Sequence, residues 1–170
     1  MNYLDKYTIP FSGLSIGRHE FEFEAGQRFF ECFENSEISQ GNLQCRITLD
    51  KKSTLLELIF EVKGTISALC DVCADPMELP LEFSEKLIYK FGNEEFENTD
   101  EIIVIPFGEH EINIAQPLYE FILLSIPAKK QHEKGKCNPE MLKKISEYTS
   151  KKENNNIDPR WEVLKNIKLN

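Results

Sequence analysis

From Leu43 to Leu49, and again from Leu56 to Val62, apolar residues recur at every second position. Leu43, Cys45, Ile47 and Leu49 alternate with Asn42, Gln44, Arg46 and Thr48. After a turn at Asp50–Ser53, Leu56, Leu58, Phe60 and Val62 share one face, and Glu57, Glu61 and Lys63 mostly occupy the other. A period of two places alternate side chains on opposite faces of a strand, so the stretch reads as an antiparallel hairpin with one face in a core. A helix cannot hold that pattern on one side.

The same period recurs on both flanks. Phe alternates with Glu over His19–Glu24, which predicts a half-buried strand, and Gln27–Phe33 follows as a short helix. The second hairpin strand continues past Gly64 to Cys70, long for a strand, which makes Gly64 a bend or bulge. Leu79, Leu81, Phe83, Leu87, Tyr89 and Phe91 fall on one face of a third long strand, Asn93–Asp100 is an acidic loop, and Glu101–Ile105 is a buried strand stopped by Pro106. Phe107–Glu111 turns back.

The period changes at 113–126. Asn113 is a cap and Pro117 is tolerable in a first turn. Ile114, Leu118, Phe121, Ile122 and Ser125 then form a helical stripe that Pro127 ends. This helix is expected to lie largely buried under the sheet. Asn138-Pro139-Glu140 starts another helix, with Met141, Leu142, Ile145 and Tyr148 as a modest apolar face, and Asp158-Pro159-Arg160-Trp161 starts a last short one. The expected fold is α+β: a bent antiparallel β-sheet, one buried helix on its face and short C-terminal helices. Residues 1–149 form a single domain, 150–157 a polar linker and 158–170 the terminal helix. At 170 residues with 41% hydrophobic content the chain can build one real core.

Charge divides the chain. Residues 1–126 hold 9 Lys and Arg against 23 Asp and Glu, and residues 127–170 hold 11 against 6, so an acidic body precedes a basic tail. An acidic body is a poor non-specific nucleic-acid binder and a reasonable partner for a basic protein. It serves equally as a solubilising surface. Apolar runs such as Phe121–Ile126 are far short of a membrane span. The first residues lack the basic and apolar regions of a signal peptide, so a cytoplasmic location with reduced cysteines is expected.

Five cysteines and three histidines carry the candidate chemistry. Cys70-Asp71-Val72-Cys73 is a C-x2-C at the end of a strand. A redox pair of this spacing needs a helix following its first thiol, whereas here Ala74–Pro80 brings two prolines and a return to strand alternation. Two thiolates on a tight turn also hold two corners of a zinc tetrahedron. The other two are on offer in His132-Glu133-Lys134-Gly135-Lys136-Cys137, so Cys70, Cys73, His132 and Cys137 form a complete Cys3His set. The alternative is chance spacing and a solvated loop histidine; whether the halves meet is a matter of fold. Cys32, beside Phe29, Phe30 and Phe33, and Cys45, on an apolar strand face, read as small packing hydrophobes. His19 and His110 sit in polar turns without a partner motif. No paired carboxylates or Ser/His/Asp order argues for an enzyme.

The order of these features resembles the YceD family, the large ribosomal RNA subunit accumulation proteins. The likeness covers nearly the whole chain: Val62-Lys63-Gly64-Thr65-Ile66, the C-x2-C, the 101–106 strand, the 113–127 helix, His132 and Cys137, and Asp158-Pro159-Arg160-Trp161. Many members carry a longer cysteine-rich tail, so a metal site here is a reduced one. The resemblance implies a non-enzymatic factor supporting large-subunit rRNA accumulation, with a closed structural zinc site. Lys129, Lys130, Lys143 and Lys144, with Arg160 and Trp161, are then candidates for contact with ribosomal RNA or a large-subunit ribosomal protein. Two other functions remain open: a protein-protein interaction module that never touches RNA, and a CxxC thiol oxidoreductase.

Overall fold

The predicted hairpin is the centre of the sheet. In the computed structural model, which describes residues 3–34, 36, 38, 40–92 and 102–149, β3 (Gly41–Lys51) pairs antiparallel with β4 (Leu55–Leu69). Leu43, Ile47, Leu49, Leu56, Leu58 and Phe60 are fully buried, as the alternation requires. β2 (Gly17–Gly26) adds to one side of the pair and β5 (Pro76–Phe91) to the other, giving the order β2-β3-β4-β5-β6.

Two expectations about this sheet need correction. β6 (Ile102–Ile105) runs parallel to β5, pairing Ile88 with Ile102 through Phe91 with Ile105, and it is half-buried rather than buried. Its position at the end of the sheet gives it one strand neighbour, so its side chains are covered less than those of β3 and β4. Gly64 makes no bulge: Leu43, Gly64 and Leu81 stay in unbroken register. Its φ is +155°, and a Cβ there would lie 2.1 Å from the Asn42 carbonyl oxygen. Close approach of two backbones, rather than an extra residue, is what requires glycine.

One face of the sheet is covered. α1 (Gln27–Phe30), shorter than expected, turns Phe29 and Phe30 inward. A two-stranded sheet absent from the sequence reading joins β1 (Thr8–Ile9) to β7 (Ile112–Asn113) and buries Ile9 and Ile112. α2 (Ala115–Ser125) buries Leu118 and Ile122 and sets Phe121 edge-on against Phe60, with ring centroids 5.1 Å apart. Its N-cap is Ile114; Asn113 still helps, accepting the Ala115 amide at 2.9 Å. α3 (Pro139–Tyr148) starts where expected, with Asn138 as its cap, but buries none of its residues.

Cys45 is buried as expected, and burial pushes its thiol up to about 12. Cys32 is not: it is exposed, and its Sγ donates to the Arg28 carbonyl at 3.1 Å, because Phe29, Phe30 and Phe33 take the inward positions around it. His19 lies within β2 rather than in a turn, its Nε2 2.8 Å from the Ser15 carbonyl. The acidic loop at 93–100, the linker at 150–157, the terminal helix at 158–170, Arg160 and Trp161 lie outside the described residues.

Candidate metal centre

β4 ends at Leu69, and the chain turns at once. The Ala74 amide donates to the Cys70 carbonyl at 2.8 Å, and the Cys70 amide donates to Asp75 O at 3.0 Å. Ala74 takes φ 60°, a left-handed conformation that costs a residue with a Cβ about 1–2 kcal/mol. The turn aims Cys70 and Cys73 to the same side and leaves them 2% and 1% exposed.

Residues 127–138 reach this turn from the far end of α2. The Asp71 amide donates to the Lys130 carbonyl at 2.7 Å, and the Lys130 amide donates back to Asp71 Oδ2 at 2.6 Å. Asn138 donates its Nδ2 to Asp75 Oδ2 at 3.2 Å while its Oδ1 accepts the Glu140 amide at 3.0 Å. Gly135, at φ +86°, lets the loop double back, and Lys136 N closes it on Glu133 O at 2.9 Å. The result brings His132 and Cys137, both half-buried, against the two thiols.

The four ligand atoms lie within 4.8 Å of one another. Cys70 Sγ is 3.9 Å from Cys137 Sγ, Cys73 Sγ is 3.4 Å from His132 Nδ1, and Cys137 Sγ is 3.9 Å from the same nitrogen. A tetrahedron with Zn–S of about 2.3 Å and Zn–N of about 2.0–2.1 Å has edges of roughly 3.5–3.8 Å. The three spacings lie within about 0.4 Å of those edges and every pair lies within 4.8 Å, so a small contraction of the cluster would seat a zinc ion among donors of the right chemistry.

The Cys70 and Cys137 thiols are shifted in opposite directions. Burial alone raises Cys70, but the backbone amides of Cys73, His132 and Val72, with the Cys73 side chain, outweigh it and hold the thiol down at about 6. Cys137 moves the other way, to about 11, through burial and its hydrogen bonds and repulsion with Cys70 and Cys73. A cation entering the cluster removes that repulsion.

The structure therefore brings together all four ligands read from the sequence. Lys129 in the loop and Lys143 and Lys144 on α3 are exposed, while Lys130 is half-buried and contributes its backbone. Asp71, Asp75 and Asn138 were missed as positioning residues. Asp71, placed between the two cysteines, and Asn138, the expected cap of α3, are their legible signals. Among the described residues no helix is long and apolar enough to cross a membrane. No curated protein and no solved structure matches the chain. A family model described as "Large ribosomal RNA subunit accumulation protein YceD" matches residues 58–168, a span holding β4 from Leu58 onward, the C-x2-C and the His132–Cys137 loop. With more than half of its length and every ligand of the cluster inside that match, the chain belongs to the YceD family.

Proposed function

We propose that the protein is a non-enzymatic cytoplasmic factor that supports accumulation of large-subunit ribosomal RNA, acting during assembly of that subunit. The family match carries the ribosomal part of this reading. The Cys3His cluster carries the structural part: Cys70, Cys73, His132 and Cys137 hold a zinc ion in a closed, four-ligand site. When bound, the metal supplies a cross-link between the end of β4 and the loop before α3. The protein's own bonds from Asp71 to Lys130 set the loop in place for it. That loop and α3 carry Lys129, Lys143 and Lys144 on their exposed side, suited to RNA phosphates.

Two measurements test this. Elemental analysis of freshly purified protein is expected to return one zinc per chain, lost in Cys73→Ser; a metal-free wild type overturns the zinc site. Depletion of the protein from growing cells is expected to lower large-subunit rRNA relative to small-subunit rRNA, and the purified chain is expected to bind that RNA with an affinity that falls steeply with salt. Unchanged rRNA overturns the ribosomal role, and a defect without RNA binding favours the protein-only module. Insulin reduction by the purified chain would favour a thiol oxidoreductase.

A further inference from the structure

The five-stranded sheet has two open edges among the described residues, and they are built differently. β5 pairs with β6 only from Ile88 to Phe91, so Pro76–Leu87 forms one edge and β2 forms the other. In an antiparallel ladder, consecutive residues turn their N–H and C=O alternately toward one neighbour and the other. The Ser67 amide donates to Gln40 O at 2.9 Å, which assigns the even residues of β3 to β4 and the odd ones to β2. Through the pairs Cys45–Phe23 and Ile47–Phe21, the odd residues of β2 bond to β3. Arg18, Glu20, Glu22 and Glu24 therefore turn their backbones off the edge. The Tyr7 hydroxyl, donating to Glu24 O at 2.6 Å from outside the sheet, agrees with this.

The same alternation puts Pro76 and Pro80 on the open side of β5, where their missing N–H groups blunt that edge against pairing. β2 contains no proline. Between the contacts at Ser15–His19 and Tyr7–Glu24, the backbone N–H and C=O of Glu20 and Glu22 have no partner among the described residues.

The side chains narrow what can pair there. Glu20, Glu22 and Glu24 stand exposed on the outer face, and half-buried Phe21 and Phe23 alternate on the other. A trough of about 910 Å³ crosses the outer face behind them, with Glu22, Glu24, Glu61 and Glu82 against Arg46 and Lys63. A second copy pairing antiparallel through β2 would set Glu against Glu, which is destabilising. RNA phosphates meet the same repulsion.

We infer that β2 is a docking strand for an extended Lys/Arg-rich segment of a protein partner, which adds beside it as a further strand. Main-chain bonds to Glu20 and Glu22 give affinity, and alternate cations over the Glu ladder and trough give selectivity. That the segment comes from a large-subunit ribosomal protein rests on the proposed function.

The test uses the full chain and, as probe, overlapping peptides covering the large-subunit ribosomal proteins, each with a scrambled control. Residue-resolved amide exchange by NMR is the readout. At least one basic peptide is expected to slow exchange at the Glu20 and Glu22 amides by about tenfold, leaving Phe21 and Phe23, already bonded to β3, unchanged. Glu20→Gln with Glu22→Gln, and separately Glu22→Lys with Glu24→Lys, are expected to weaken that peptide about tenfold at unchanged melting temperature. Scrambled peptides binding as well, protection absent from Glu20 and Glu22, or charge variants binding as wild type would each overturn the inference. Peptide protection in a protein whose depletion leaves rRNA unchanged would instead support the docking strand and remove only the ribosomal source of its partner.

Discussion

The two ends of β4 are held by different forces. From Leu56 to Val62 the strand lies between β3 and β5 with Leu56, Leu58 and Phe60 at zero exposure, and α2 closes over Phe60. At the other end Leu69 is 61% exposed, and the turn beyond it is fastened by a few hydrogen bonds and by the clustering of four side chains that could hold a metal ion. The first end is stabilised by area removed from water, spread over many neighbours. The second depends on a handful of directional contacts between segments far apart in the chain. A hydrophobic end degrades everywhere at once when a large side chain is lost, whereas a ligated end opens locally.

Phe60→Ala is the strongest test of that contrast. It removes a fully buried ring and its contact with Phe121, at an expected cost of about 3–5 kcal/mol. The urea midpoint should fall, and amide protection should fall together in β3, β4 and β5. Loss confined to α2 would contradict the idea of one cooperative core.

Cys73→Ser, or treatment with a chelator, addresses the other end. Structural zinc can supply on the order of 10 kcal/mol where a small domain has no core of its own; this chain has one. Exchange should therefore accelerate sharply over residues 128–140 and stay within about twofold in the β3–β4 hairpin. Uniform loss of protection would erase the distinction between the ends.

Asn138→Ala probes the polar fastening without touching a ligand. It removes the α3 cap and the bond to Asp75, which should loosen α3 by about 1 kcal/mol. Amide exchange along Glu140–Tyr148 should rise while the four-ligand cluster still takes up metal.

The smallest effect lies at the hydrophobic end. Glu57 sits between Lys52 and Lys86, each 2.7 Å away, and their hydrogen bonds lower its carboxyl to about 2. A carboxyl lowered on folding stabilises the native state above its ordinary value near 4.5 and loses that contribution as pH falls toward 2. Glu57→Gln should thus cost no more than about 1 kcal/mol at neutral pH, and the difference from wild type should vanish near pH 2. A difference that persists in acid would mean that packing of the side chain, rather than its charge, is responsible.

These ends were also unequally legible. The alternation at Leu43–Leu49 and Leu56–Val62 specified strand, face and partner, because one face of a hairpin must be buried and a slip by one residue would expose it. The direction of β6 was not legible: Ile102–Ile105 is apolar throughout, and the ten residues before it suit either a return or a reversal. At the metal end the residue types named the ligands, but their meeting depends on backbone bonds between Asp71 and Lys130, which leave no trace in side-chain pattern. Cys32 misled because neighbouring phenylalanines say nothing about which way a short helix faces.

The separation of the two half-sites has a consequence for how the protein is made. Cys137 follows Cys73 by 64 residues. At about 5–20 residues per second, roughly 3–13 s of synthesis separate the first thiol pair from its completing ligands. During that interval a nascent chain carries a two-thiol site that no later residue can yet close. A metal ion caught early would be held by two cysteines and borrowed solvent, and an oxidant acting at that stage would join Cys70 to Cys73 before His132 exists. The order of these four residues along the chain thus makes the Cys3His cluster a late event, completed only after every strand of the described sheet has been synthesised.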